Sequence, residues 1–543
     1  MSYLTLFQLI FGSFKGDHIL GSDGKDIAFG LFGDDKISGG AEADSLFGGY
    51  GADVVIGNTG NDQMFGSAGD DLLVWNNGDG SDLMNGGDGT DRQQVNFDTD
   101  LVNTDLQNDD VAAFTTTENG IQFARIEVNG QTERGLFQLD IRETEVQETN
   151  FGGGKDTAII GDGVLDAIQL QLYGGAGIDT LDFSGITSNV SVNLDSGAFV
   201  DNVFFANGVI APEDFEGLDL GPAVETSKAI GFENVIGTEG GDQIIGNDAD
   251  NVISGGSGDD RILGGDGDDT LIGNKGGDTV HGDAGDDTII WNNGDGSDLF
   301  DGGADEDRVQ VNFDTDLVNT DLQNKDVATF ATTAEGVQFA RIEVNDQSVN
   351  GLFQLDIRNT ETLETNFGGG DDTAVLEGDV VNAITLDLDG GAGVDTLDLG
   401  AASGPVSVDL ATGVIEIDNG PGPDGRAINF ENVTGTASND VLTGNDADNV
   451  IRGGSGDDTM SGGEGADTFV FFQEDAGVDV ILDFEVGIDQ LAFFTNDPDV
   501  TEANLLDSLS QTGDDVELAL NNKLITFEDV EVADFTADMF LIA

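Results

Sequence analysis

Between residues 12 and 74 an apolar side chain returns every nine residues, as Ile19, Ala28, Ile37, Leu46, Val55, Met64 and Leu73, and a glycine opens each nine-residue word. Glycines at positions one, two and four free the chain for positive φ and a tight turn. The short run around each apolar residue, such as Lys36-Ile37-Ser38, is too brief to be a stable strand alone. Stacked in parallel about 4.8 Å apart, these runs become rungs of a sheet, and every eighth residue points into a thin continuous core.

The sixth letter of all seven words is aspartate: Asp17, Asp26, Asp35, Asp44, Asp53, Asp62 and Asp71. Stacking therefore piles carboxylates into two columns, and bare carboxylates a few ångström apart repel. The coil can close if a hard cation shared by side-chain and main-chain oxygens sits between successive turns. Calcium suits this role because it accepts six to eight oxygens in loose geometry, whereas magnesium demands a strict octahedron.

Words such as Gly255-Gly256-Ser257-Gly258-Asp259-Asp260-Arg261-Ile262-Leu263 resemble the RTX, or haemolysin-type, calcium-binding nonapeptide G-G-x-G-x-D-x-apolar-x. The resemblance implies a parallel β-roll in which two words make one coil and each calcium lies between turns on the same side. The expected ligands are the seven aspartates above with Asp91 in a detached word, then Asp242, Asp260, Asp269, Asp278, Asp287 and Asp307. A third set is Asp440, Asp458 and Asp467, and lone words contribute Asp156, Asp179, Asp372 and Asp395. Asn251 and Asn449 replace the acid, and Lys15 and Glu42 replace the fourth-position glycine, so those four positions depart from the pattern.

Composition fits an ion-dependent fold. The 543 residues carry a formal net charge of -89 with 18 Lys and Arg, which disfavours nucleic acid and anionic lipid as partners. Such acidity alone would suggest disorder, but 38% hydrophobic residues, 34 phenylalanines and strict periodicity oppose that. Arrays of seven, six and four words would hold on the order of eleven calcium ions, roughly 22 positive charges. No cysteine is present, so disulfides play no part.

The segment from Trp75 to about Gly197 reappears from Trp291 to Gly413, shifted by 216 residues without a gap. Both copies read as strands: Phe137, Leu139 and Ile141 alternate with Gln138, Asp140 and Arg142. The expected class is all-β, with parallel β-roll arrays alternating with two duplicated β-rich modules. The expected boundaries are a first roll at 1–94, modules at 95–230 and 311–427, rolls at 231–310 and 428–470, and closing strands at 471–543. Tyr3 to Phe14 reads as a first strand capping the roll, because no basic residue precedes it and no small-x-small site follows. Trp75 and Trp291 read as covers over an open roll end, with sugar stacking as the other use of such rings.

The tail, with Val478 to Phe484 and Gly487 to Leu491, resembles segments that close RTX rolls in secreted proteins. The last residues, Asp534 to Ala543, resemble the C-terminal signal of type I secretion, and their apolar side chains are also suited to pack on a closing sheet. Catalytic parts are missing: no H-E-x-x-H, G-x-S-x-G or cysteine nucleophile occurs, and His18 and His281 sit within repeat words. The expectation is a non-enzymatic, extracellular protein that folds on calcium and serves a structural or adhesive role. Extracellular polysaccharide, a cell surface or self-assembly would be its partners, with no membrane span. The competing expectation is a secreted enzyme or cytolysin with unfamiliar machinery in the duplicated modules.

Overall fold

A computed structural model describes residues 8–97, 109–128, 137–201, 227–313, 326–334, 336–345, 348–417, 425–498, 500–520 and 523–543. They divide into two compact units, residues 1–284 and 285–543.

In the first unit each pair of nine-residue words makes one coil, because every short strand pairs in parallel with the strand two words on. Ile19 lies beside Ile37 and Ile37 beside Val55 on one wall. Ala28 lies beside Leu46 and Leu46 beside Met64 on the other. The eighth residues Ile37, Leu46, Val55, Met64 and Leu73 have no exposed surface, as the pattern predicts. Gln8–Phe11 forms the first rung against Asp26–Phe32. Residues 3–7 of the expected first strand lie outside the described residues.

The duplicated segment continues both ladders. Arg92–Asn96 pairs in parallel with Leu72–Asn76 behind it and Val146–Gly154 ahead. Each wall then takes one antiparallel detour. One consists of Asp109–Thr117, Gly120–Val128 and Phe137–Arg142, and the other of Val190–Asn193, Ala198–Asp201 and Ser227–Ile230. The predicted alternation holds there, with Ile121, Phe123, Leu139 and Ile141 buried.

The detours balance. Between Leu83–Asp88 and Asn234–Ile236 one wall adds those three strands plus Thr157–Gly161 and Thr180–Gly185. Between Arg92–Asn96 and Gln243–Ile245 the other adds Val146–Gly154 and Gln169–Gly177 plus its own three. Five strands enter each wall, so the two regain register.

Trp75 corrects the sequence reading. Because the ladder runs on past it, with Val95 beside it, the ring is a core residue with no exposure rather than a cover over an open end. Its indole N–H donates to Gly80 O at 2.8 Å, and its edge meets Phe97 at 6.4 Å between centroids.

In the second unit Trp291 is buried in the same way, beside Val311 and donating to Gly296 O at 3.0 Å. Its detours are Asp326–Thr332, Val337–Asn345 and Ser348–Arg358 in one wall and Val406–Asp409, Val414–Ile417 and Gly425–Ile428 in the other. Antiparallel strands Leu509–Thr512, Asp515–Leu520 and Lys523–Phe527 finish one wall, the last lying parallel to Gly477–Ile481. Phe540–Ile542 finishes the other against Gln490–Phe494, so the terminal apolar residues do pack on a closing sheet. No helix among the described residues is long and apolar enough to cross a membrane.

Candidate metal centres

The turns stack through their carboxylates. The amide of each ladder aspartate donates to the Oδ1 of the aspartate one coil on: Asp17 to Asp35 at 2.6 Å, Asp35 to Asp53 at 2.7 Å and Asp53 to Asp71 at 2.8 Å. Asp26, Asp44 and Asp62 form the parallel column. The same bond joins Asp156 to Asp179, Asp242 to Asp260, Asp260 to Asp278, Asp287 to Asp307, Asp372 to Asp395, and Asp440 to Asp458. Asp269 and Asp467 accept from Asn251 and Asn449, and Asp91 accepts from Asp71. Every expected ligand thus stands in a column, and all but Asp17 are no more than 2% exposed.

The second oxygen, Oδ2, divides the turns into two kinds. It is buried without a hydrogen-bond partner in Asp35, Asp44, Asp53, Asp62, Asp71, Asp91, Asp156, Asp179, Asp260, Asp307, Asp395, Asp458 and Asp467. In each of these turns the residue four before the aspartate has positive φ, as at Leu31 (85°), Gly49 (121°), Asn58 (64°) and Gly256 (110°). That conformation turns its N–H away from the carboxylate. Asp17, Asp26, Asp242 and Asp440 close differently. There the residue four before, Ser13, Ser22, Thr238 or Thr436, is not left-handed and donates its amide to Oδ2. Asn251 and Asn449 are closed alike, their Oδ1 accepting from Asn247 and Asn445 at 2.8 Å.

At several turns, open and closed alike, a main-chain oxygen of the next coil approaches Oδ2. A Cβ built on Gly48 would lie 2.4 Å from Asp53 Oδ2 and 2.6 Å from Gly66 O, so that oxygen and the carbonyl of the next turn converge over one glycine. A Cβ on Gly49 or Gly51 would meet Leu31 O at 2.5 Å or Gly33 O at 2.3 Å. Glycine is required here to leave room. Among the described residues no point gathers three or more His, Cys, Asp or Glu side chains. A cation held in these turns would draw on carbonyls as well as carboxylates, which suits calcium better than zinc.

Without a cation the columns carry a penalty. Burial, opposed by the amide bond to Oδ1 and reinforced by neighbouring carboxylates, raises Asp44 and Asp53 to about 6 and Asp62 and Asp71 to about 7. It raises Asp156 and Asp395 to about 8 and Asp260 to about 9.

Several column members were hidden from the nine-residue pattern. Asp62 donates to Asp82, twenty residues on, and Asp82 has an orphaned Oδ2 and a left-handed Gly78 four before it. Glutamates end four runs: Asp91 donates to Glu145, Asp179 to Glu233, Asp307 to Glu361 and Asp395 to Glu431. Asp479 and Asp489 accept from Asp458 and Asp467. The glycine four residues before Asp82 was a legible signal; the glutamates carry none. His18 is exposed and His281 is buried on a strand.

A search of the curated proteins finds no match. Among solved structures the chain is similar to the extracellular lipase LipA from Serratia marcescens, at 16% identity and a TM-score of 0.18. The likeness covers 57% of this chain and spans 40% of that lipase. Residues 11–46, 38–73, 236–271, 263–290 and 434–469 match the family model of the RTX calcium-binding nonapeptide repeat. The three arrays of this chain are RTX calcium-binding nonapeptide repeats.

Proposed function

We propose that this is an extracellular, non-enzymatic protein that folds on calcium and serves a structural or adhesive role at a cell surface or in the matrix. The observation that carries the reading is the row of buried, unpartnered Oδ2 atoms, with main-chain carbonyls close by at glycines such as Gly48. Bound there, calcium would supply positive charge and accept both kinds of oxygen. The aspartates hold their columns, the glycines clear the space, and the unliganded chain stays expanded in a calcium-poor cytosol. Export through type I machinery, guided by the last residues, fits that order of events.

The first array also offers a surface for contact. Phe11, Phe29, Phe47 and Phe65 form a stacked column with centroids 5.4, 4.9 and 4.9 Å apart, and Phe14, Phe32 and Tyr50 form a second. Phe11, Phe14, Phe32 and Tyr50 are exposed. These exposed rings make this wall the contact surface, with extracellular polysaccharide as the partner.

Circular dichroism with chelator and with millimolar calcium tests the calcium half; unchanged strand signal in chelator would sink it. Binding of the calcium-loaded chain to polysaccharide, lost in Phe14→Ser/Tyr50→Ser, tests the second half. Equal binding by that variant removes the ring stripe from the account.

A further inference from the structure

The column that runs from Asp440 through Asp458 ends at Asp479, whose Oδ1 accepts from the Asp458 amide at 3.2 Å. By its place in the stack Asp479 is another turn carboxylate, 1% exposed. Its Oδ2 differs from those of the inner turns. It is neither orphaned nor closed by the residue four before it, but meets Lys523 Nζ at 2.9 Å.

Lys523 is itself 7% exposed. Its ammonium also reaches Gly454 O at 3.5 Å and lies 5.0 Å from the centroid of the Phe471 ring. Gly454 is the left-handed residue four before Asp458, the counterpart of Leu31 before Asp35. A carboxylate oxygen and a main-chain carbonyl are the kinds of oxygen that calcium accepts. Here they converge on a side-chain cation that arrives on a closing strand.

We propose that the Lys523 ammonium is a built-in substitute for a metal ion, so that the C-terminal end of the column closes without calcium and gives the remaining turns a formed edge to stack on. An ammonium can do this because it is a compact charge with three donors and no acceptor, whereas a guanidinium needs a planar fork of oxygens. A buried ion pair is weak as a general stabiliser, but removing one partner leaves the other charge uncompensated. The inference rests on the calcium reading, and its test separates the two.

Hydrogen exchange on the full chain reads the segments Gly477–Ile481 and Lys523–Phe527, and calorimetric titration counts bound calcium. In chelator the wild type should keep protection in these segments while the inner arrays exchange freely. Lys523→Met should exchange at least roughly tenfold faster there in chelator, recover with calcium, and bind one more ion than the wild type. Lys523→Met/Asp479→Asn, which removes both charges, should keep protection in chelator and bind the wild-type number.

Equal exchange in wild type and Lys523→Met overturns the proposal. So does failure of the double variant to fold with calcium, which would make Lys523 a packing residue. Should Lys523→Met alone fail to fold while the double variant folds, the charge role stands. A wild type that keeps every segment protected in chelator defeats the calcium reading instead.

Discussion

The turns at Asp26 and Asp53 share the first, fourth and sixth letters of the word and do different things. At Asp26, Ser22 gives both its amide and its hydroxyl to the carboxylate, and the turn is complete within itself. At Asp53 the left-handed Gly49 withholds its amide, and Oδ2 is left buried with no partner. A single backbone angle four residues upstream thus separates aspartates whose Oδ2 is closed within the loop from those whose Oδ2 is left open. Each array begins with two turns of the closed kind, at Asp17 and Asp26, at Asp242 and Asn251, and at Asp440 and Asn449. In two of these the acid has already become an amide, which an internally bonded turn tolerates and a cation-binding turn would not.

The largest effect expected from this difference is collective and pH-dependent. In chelator the inner aspartates are raised, Asp44 to about 6 and Asp260 to about 9, so between about pH 4 and those values the folded chain holds protons that the unfolded chain, with ordinary values of about 4, has released. Their contribution to the metal-free fold is therefore fully present below about pH 4 and is lost as pH rises through about 6 to 9. Strand signal in chelator should rise on acidification across that window. A flat profile would mean that the orphaned oxygens are not a burden on the metal-free roll.

Next in size is Gly49→Ala, which forces an alanine to φ 121° and drives its Cβ to 2.5 Å from Leu31 O. The calcium-loaded chain should lose about 1–3 kcal/mol in thermal or denaturant unfolding. Ser22→Gly, by contrast, should leave calcium-loaded stability within about 1 kcal/mol.

A sharper cut compares Asp53→Asn with Asp26→Asn by calcium titration of the dichroism signal. Asp53→Asn should move the folding midpoint to several-fold higher calcium, and Asp26→Asn should leave it in place, since Asn251 and Asn449 already serve in the same kind of turn. Equal shifts would erase the distinction. The smallest effect is that of Ser22→Ala, which deletes the hydroxyl bond to Asp26 but keeps the amide bond; at most about 1 kcal/mol should be lost, with no change in bound calcium.

Much of this molecule was legible in its spacing. The nine-residue return of Ile37, Leu46 and Val55 set the core, the turns and the parallel stacking, and Asp35 to Asp71 set the columns. Two things were not legible. The alternation in the duplicated copies announced strands, but not that Val146–Gly154 would resume the ladder of Arg92–Asn96; that register depends on where a detour of more than forty residues returns. Trp75 was misread for that reason, since a ring at the end of a word array looks like a lid unless more coil follows. Nor does the motif show which Oδ2 atoms lack partners, because Leu31 and Ser67 adopt left-handed conformations where glycine would have advertised them and Ser22 does not.

The matched detours set a rule for how a chain like this can grow. A three-stranded detour slipped into one wall alone would leave that side three rungs longer than its neighbour and shear every later carboxylate out of line with the glycine that makes room for it. Lengthening must come in compensated pairs, one on each side. Both copies of the duplicated region hold one detour in each wall, so the protein is enlarged while the alignment on which each downstream turn depends is conserved.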